Sequence, residues 1–225
     1  MKIGLLACDH IQQEFPDYPE LFKTLLPSYD FKVYNVYKGV FPSAASDCDA
    51  WIITGSKYSV YDEIDWIIKL KSFVPEIAKA DKYCIGVCFG HQMLGEAMGG
   101  VVKKSEKGWC VGVHDFEILS RENWMVPFQP SVSLLMSCQD QIKVLPENSK
   151  VLAQSPLCPV GIIQIGDKML GIQGHPEFSS DYVKALMMDR TNRIGEETVK
   201  TGLESLKKTT QSLLVAHWMS NFICK

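Results

Sequence analysis

Tyr83-Cys84-Ile85-Gly86-Val87-Cys88-Phe89-Gly90-His91-Gln92 is the stretch that decides how this chain folds. Tyr83 to Val87 has the short apolar character of a buried strand. Gly90 to Met98 reads as a helix that stops at Gly99-Gly100. Cys88 therefore sits where the chain turns from strand to helix. So sharp a turn brings backbone against backbone, and Gly86 and Gly90 remove the Cβ atoms that would block it.

Upstream, the same alternation repeats. Lys2 to Ala7 is a continuous apolar run suited to a parallel strand buried on both faces. Glu20 to Leu26 is helix-like and ends at Pro27, and Phe31 to Tyr37 is a strand rich in Val and aromatics. Ala50 to Thr54 is a short buried strand closed by Gly55-Ser56. Tyr61 to Lys79 keeps helical spacing through Ile64, Ile67, Val74 and Ile77, with Pro75 expected to kink it or to start a second helix. This order predicts an α/β fold: one domain with a mostly parallel, flavodoxin-like sheet and helices on both faces.

Downstream the pattern changes. Val111 to Leu119, Leu134 to Ser137 and Val151 to Ala153 have strand character without long helices between them. Val160 to Ile165 and Met169 to Gln173 flank Gly166-Asp167, a hairpin signal. Antiparallel strands added to the parallel sheet are expected. From about 181 to 225 the chain is charged, helix-favouring and free of proline, and is expected to pack as a helical tail, with a loop at Asn192 to Gly195. No repeat or Pro/Ser-rich linker divides the chain, so residues 1–225 are read as one domain.

Composition narrows the function. The 225 residues are 46% hydrophobic and 22% charged, which is globular. A net charge of −3 argues against a nucleic-acid or anionic-membrane partner. No apolar run approaches the roughly 20 residues of a membrane span, and the apolar part of the N-terminus is too short for a signal peptide. Eight cysteines without a CxxC pair give a weak zinc signal and fit free thiols in a reducing cytoplasm. No metal and no cofactor are expected, and no GxxxxGK[ST] phosphate loop is present.

Cys88 on its turn is a candidate nucleophile. The start of the helix stabilises a thiolate, and the backbone N–H of Phe89 is free to face a developing oxyanion. A turn cysteine without chemistry is the competing reading. A thiol nucleophile needs a base, and His10, His91, His114, His175 and His217 are the choices. His175 stands apart, because it follows the buried strand Leu170-Gly171-Ile172-Gln173 within Gly174-His175-Pro176-Glu177. There it reaches the end of a neighbouring strand, and Glu177 can fix its tautomer.

Together these segments resemble the class I (triad) glutamine amidotransferases, specifically the stand-alone members similar to the amidotransferase part of GMP synthase. Trp51-Ile52-Ile53-Thr54-Gly55-Ser56 resembles that family's oxyanion strand, and Met136-Ser137-Cys138-Gln139-Asp140 its substrate-side segment. The resemblance implies that Cys88 attacks the γ-amide of glutamine, that His175 shuttles protons and that Glu177 orients His175. It also implies an oxyanion hole from Gly55 and Phe89, and a substrate held by Gln92, Ser137 and Cys138. Three departures bear on the γ-glutamyl donor: Ser56-Lys57 where many relatives have Gly-Pro, Cys138 where they often have His, and Lys107-Gly108-Trp109 without the usual preceding acidic residue unless Glu106 serves.

The 225 residues carry neither a GxxxxGK[ST] nor an SGGxDS-like loop and are expected to be spent on the amidase domain. Either a separate synthetase subunit takes the ammonia, or the protein works alone as a γ-glutamyl peptidase on glutathione-like compounds. A cysteine hydrolase of unrelated substrate and a catalytically silent binding module are the remaining readings. The oligomeric state is left open. If Cys138 tunes the donor, Cys138→His is expected to shift relative activity toward L-glutamine; an unchanged donor ratio in a steady-state assay refutes that role.

Overall fold

The structure, a computed structural model, describes residues 1–11 and 14–225. The first half runs β1 (Lys2–Ala7), α1 (Tyr18–Leu25), β2 (Asp30–Asn35), β3 (Ala50–Ile53), α2 (Asp65–Lys79), β4 (Tyr83–Val87) and α3 (Phe89–Ala97). Strands β5 (Val101–Lys104), β6 (Cys110–Ile118), β7 (Ser131–Cys138), β8 (Asp140–Val144), β9 (Ser149–Ser155), β10 (Cys158–Ile165) and β11 (Met169–Ile172) follow. Helices α4 (Ser180–Asp189), α5 (Thr191–Ile194), α6 (Glu196–Ser205) and α7 (Ser212–Ile223) end the chain.

One sheet of nine strands organises the molecule, in the order β2-β1-β3-β4-β11-β10-β9-β6-β7. Strands β2, β1, β3, β4 and β11 are mutually parallel, and β10, β9, β6 and β7 extend the sheet antiparallel. The expected α/β architecture with added antiparallel strands is what forms. Its parallel strands read as unbroken apolar runs because both faces are covered. Ile3, Leu5, Ile52 and Ile85 enter one core with Phe22 of α1 and Trp218 and Phe222 of α7. Leu6, Trp51 and Ile53 enter the other with Ile67, Leu70 and Val74 of α2 and Met93 of α3.

Two local expectations change, and one element was not foreseen. Helix α2 runs through Pro75 as one element, so no second helix starts there. Its buried stripe of Ile67, Leu70, Val74 and Ile77 fixes it to the sheet on both sides of the proline, which outweighs the lost hydrogen bond. In the tail, residues 191–194 form the short helix α5 rather than a loop; the chain breaks at Gly195, whose φ of +95° favours glycine. Strands β5 and β8 pair as a separate two-stranded ribbon that the sequence pattern did not reveal, since each is short and carries lysines.

Strand β4 lies between β3 and β11, all three parallel. The segments that follow them therefore emerge side by side at one sheet edge: the Gly55 loop after β3, Cys88 after β4 and His175 after β11. The turn at Cys88 depends on close approach. A Cβ on Gly90 would lie 2.2 Å from the Ile53 carbonyl oxygen, and one on Gly86 would lie 2.2 Å from the Gly90 carbonyl oxygen. Gly90→Ala is expected to destabilise the protein by about 1–3 kcal/mol, the usual cost of forcing volume into packed backbone. Urea denaturation checks this, and an unchanged midpoint contradicts it.

Candidate active site

Cys88 has φ +53° and ψ −101°, a backbone that side-chain-bearing residues rarely adopt, and it is the N-cap of α3. Such strain persists only where the surroundings hold it. The Cys88 N–H donates to the Ile172 carbonyl at 2.9 Å, and its carbonyl accepts from the Gln92 N–H at 3.1 Å. Phe89, next in sequence, is the first helical residue, so its N–H lies outside the intrahelical ladder.

His175 is held from three directions. Its backbone N–H donates to the Leu135 carbonyl of β7 at 2.8 Å. Its Nδ1–H donates to Glu177 Oε1 at 2.8 Å, which fixes the tautomer. The ring stacks on Phe178 with centroids 3.9 Å apart. His175 and Glu177 are both buried. Burial alone would depress the imidazole pKa, but the Cys88 and Glu177 side chains beside it outweigh that, and it is pushed up to about 10.

The loop after β3 is tied back to the end of β1. The Cys8 N–H donates to Thr54 Oγ1 at 3.0 Å, and Ser56 Oγ donates to the Cys8 carbonyl at 3.0 Å. Asp9 accepts from the Lys57 N–H at 2.9 Å and from its Nζ at 3.2 Å, so the Lys57 charge at the rim is balanced. Gly55 faces the site closely: a Cβ there would lie 2.8 Å from Tyr18 Oη and 3.1 Å from His175 Cε1.

Two cavities meet at Cys88. One of about 320 Å³ lies on the His175 side, against Tyr18, Phe178 and Tyr182. The other, about 120 Å³, is lined by Gln92, Ser137, Cys138 and Asp140, with Arg190 and Arg193. Gln92 is immobilised, its Nε2 donating to the Asp140 carbonyl at 2.7 Å and to Gln173 Oε1 at 3.1 Å. Among the described residues Ser137 Oγ is buried without a hydrogen-bond partner. All eight residues singled out from the sequence thus border or support this one site: Gly55, Cys88, Phe89, Gln92, Ser137, Cys138, His175 and Glu177.

Residues 26–191 match the model of the class-I glutamine amidotransferase family. The chain belongs to that family. It is 32% identical to Gamma-glutamyl peptidase 4 of Arabidopsis thaliana, over 76% of this chain and 71% of that protein. It is 35% identical to a glutamine-hydrolyzing GMP synthase subunit of Methanothermobacter thermautotrophicus, over 46% of this chain and 56% of that one. The crystal structure of a glutamine amidotransferase from Thermotoga maritima has the same fold, with TM-score 0.81, 18% identity and 99% of both chains covered. Family members of this kind are enzymes with a cysteine nucleophile.

Within this family fold, Cys138 has a specific neighbour. It is the cross-strand partner of Cys110. The Cys138 thiol beside Cys110, together with His114, lowers the Cys110 pKa to about 6 against burial, and Cys138 is raised. Cys138 borders the smaller cavity. Asp9, Tyr18, Arg190 and Arg193 were not singled out from the sequence. Asp9 carries a usable signal, since it follows β1 at the same sheet edge as Cys88. The arginines lie at the end of α4 and in α5, and no motif marks them.

Because the raised His175 pKa favours the protonated ring in the folded state, it contributes stability that is complete below the ordinary value of 6.5 and lost as pH rises toward about 10. Glu177→Gln is expected to flatten that loss. Unfolding free energies measured across this window check it, and parallel profiles for the two proteins overturn it.

Proposed function

We propose that this chain hydrolyses γ-glutamyl amides through a γ-glutamyl thioester on Cys88. The observation that carries this reading is the convergence of a strained strand-to-helix cysteine with a buried His175–Glu177 pair on the adjacent strand end. Cys88 Sγ attacks the γ-carbonyl carbon, and the oxyanion forms toward the N–H groups of Gly55 and Phe89. The protonated His175 gives its proton to the leaving nitrogen as the C–N bond breaks, and Glu177 holds the ring throughout. Water then attacks the thioester carbon, His175 takes its proton, and glutamate leaves with the thiol restored.

The glutamyl end is assigned to the smaller cavity. Gln92, Ser137 and Cys138 form its wall, and Arg190 and Arg193 suit an α-carboxylate. L-Glutamine fits such a site, with ammonia passed to a synthetase partner; the similarity to a GMP synthase subunit supports that arrangement. The stand-alone peptidase reading is favoured by a different observation. His175 borders the 320 Å³ cavity, which therefore lies where the leaving group must be protonated. Ammonia is about the size of water, whose share of liquid volume is about 30 Å³, and needs no such space.

We read residues 1–225 as one catalytic domain working in the cytoplasm. All eight cysteines are free and seven are buried, which suits a reducing compartment. Among the described residues no helix is long and apolar enough to cross a membrane.

The test is turnover of L-glutamine and glutathione in parallel, following ammonia and Cys-Gly. Cys88→Ala and His175→Ala are each expected to lower kcat at least ~10³-fold with the fold intact by circular dichroism, in line with losses at comparable triads. Near-wild-type turnover in either variant sinks the triad. Glu177→Gln is expected to cost less than Cys88→Ala, because it acts only through the imidazole.

A further inference from the structure

The larger cavity has a directional composition. An unbroken series of rings starts at the imidazole that faces Cys88 and runs outward. His175 stacks on Phe178 at 3.9 Å, Phe178 meets Tyr182 edge-on at 4.6 Å, and Tyr182 meets Phe15 at 5.1 Å. Leu186 of α4 adds an aliphatic side chain to the same wall. Phe15, Tyr182 and Leu186 are only partly buried, so they leave apolar surface facing the cavity. Arg190 and Lys57 border both cavities, and Asp9, Glu14 and Asp189 lie at the larger one, but the ring series from His175 to Phe15 with Leu186 belongs to the larger alone, whereas Lys104, Arg193, Gln92 and Asp140 belong to the smaller.

We infer that the wall formed by Phe15, Phe178, Tyr182 and Leu186 is a leaving-group subsite for γ-glutamyl amides of amino acids with an aromatic or large aliphatic side chain. The inference rests on the γ-glutamyl thioester reading and specifies its substrate class. With the scissile amide at Cys88 and its glutamyl end in the smaller cavity, the group on its nitrogen is placed in the larger one, past His175 along the rings. Volume agrees, since about 320 Å³ lies at the lower end of small-molecule sites, about 300–1,000 Å³. Chemistry agrees as well. A ring on the departing amine would pack against Tyr182 and Phe178 by offset or edge contact while covering surface now open to water. A bare glycine would cover none of it.

The atoms balance as in the hydrolysis above. The amide C–N bond breaks, the proton of His175 goes to nitrogen, and the free amino acid leaves before water resolves the thioester.

The experiment measures kcat/KM for γ-glutamyl-phenylalanine, γ-glutamyl-glycine and L-glutamine with the full chain, using Cys88→Ala as the blank. The expected result is at least a roughly tenfold preference for γ-glutamyl-phenylalanine over γ-glutamyl-glycine, within the range that a hydrophobic pocket delivers. Tyr182→Ala is expected to reduce that preference about fivefold or more, and Tyr182→Phe to keep it. Equal rates on the two dipeptides, or a preference that Tyr182→Ala leaves unmoved, overturn the subsite while leaving the thioester reading intact. Cys88-dependent turnover of L-glutamine alone also overturns it. No Cys88-dependent turnover of any of the three overturns both.

Discussion

The structure depends on the approach of α3 to the sheet at Gly86 and Gly90. Because neither residue has a Cβ, only Cys88 separates the end of β4 from the start of the helix, whose first turn lies against the Ile53 carbonyl of the neighbouring strand. That contact forces Cys88 into a backbone with φ +53° and sets it at the helix N-terminus. Strand order does the rest. With β3 and β11 on either side of β4, the loop carrying Gly55 and the segment carrying His175 are brought to the same edge without any long connection. The strain of order 1–3 kcal/mol at such a residue is carried by the flanking hydrogen bonds and by two buried cores.

Electrostatics then separates the two sides of Cys88. On one side the Cys88 side chain and a buried carboxylate at 2.8 Å raise the His175 pKa against the burial that would lower it. Among the described residues Glu177 Oε2 has no hydrogen-bond partner. On the other side arginines and immobilised amides line a smaller, polar space. Asp9 contributes by holding the Gly55–Lys57 loop to the end of β1 and balancing the Lys57 ammonium, so the departure from Gly-Pro at Ser56-Lys57 is absorbed locally.

Much of this was legible beforehand because it is local. A strand, a cysteine flanked by glycines and a helix are contiguous, and the geometry of such a turn follows from sterics. His175 and Glu177 are two residues apart, so their pairing also follows from short-range chain geometry. The ribbon of β5 and β8 was not legible, since two short, lysine-bearing strands carry no periodic signal and are stabilised by each other. Of the two outcomes Pro75 allowed, a kink or a second helix, the second does not occur: the buried stripe of α2 on the sheet carries one helix through it.

The sequence by itself determined the α/β alternation, the turn at Cys88, the pairing of His175 with Glu177 and the family. These are set within a few residues of chain, where hydrophobic period, glycine sterics and motif spacing act directly. Only the tertiary structure decided that β4 lies between β3 and β11, that Cys138 faces Cys110, and that Phe15, Phe178, Tyr182 and Leu186 form one wall beside His175. Phe15 and Leu186 are far apart in the chain. Their meeting is a consequence of which elements the buried cores hold side by side, and no local pattern encodes it.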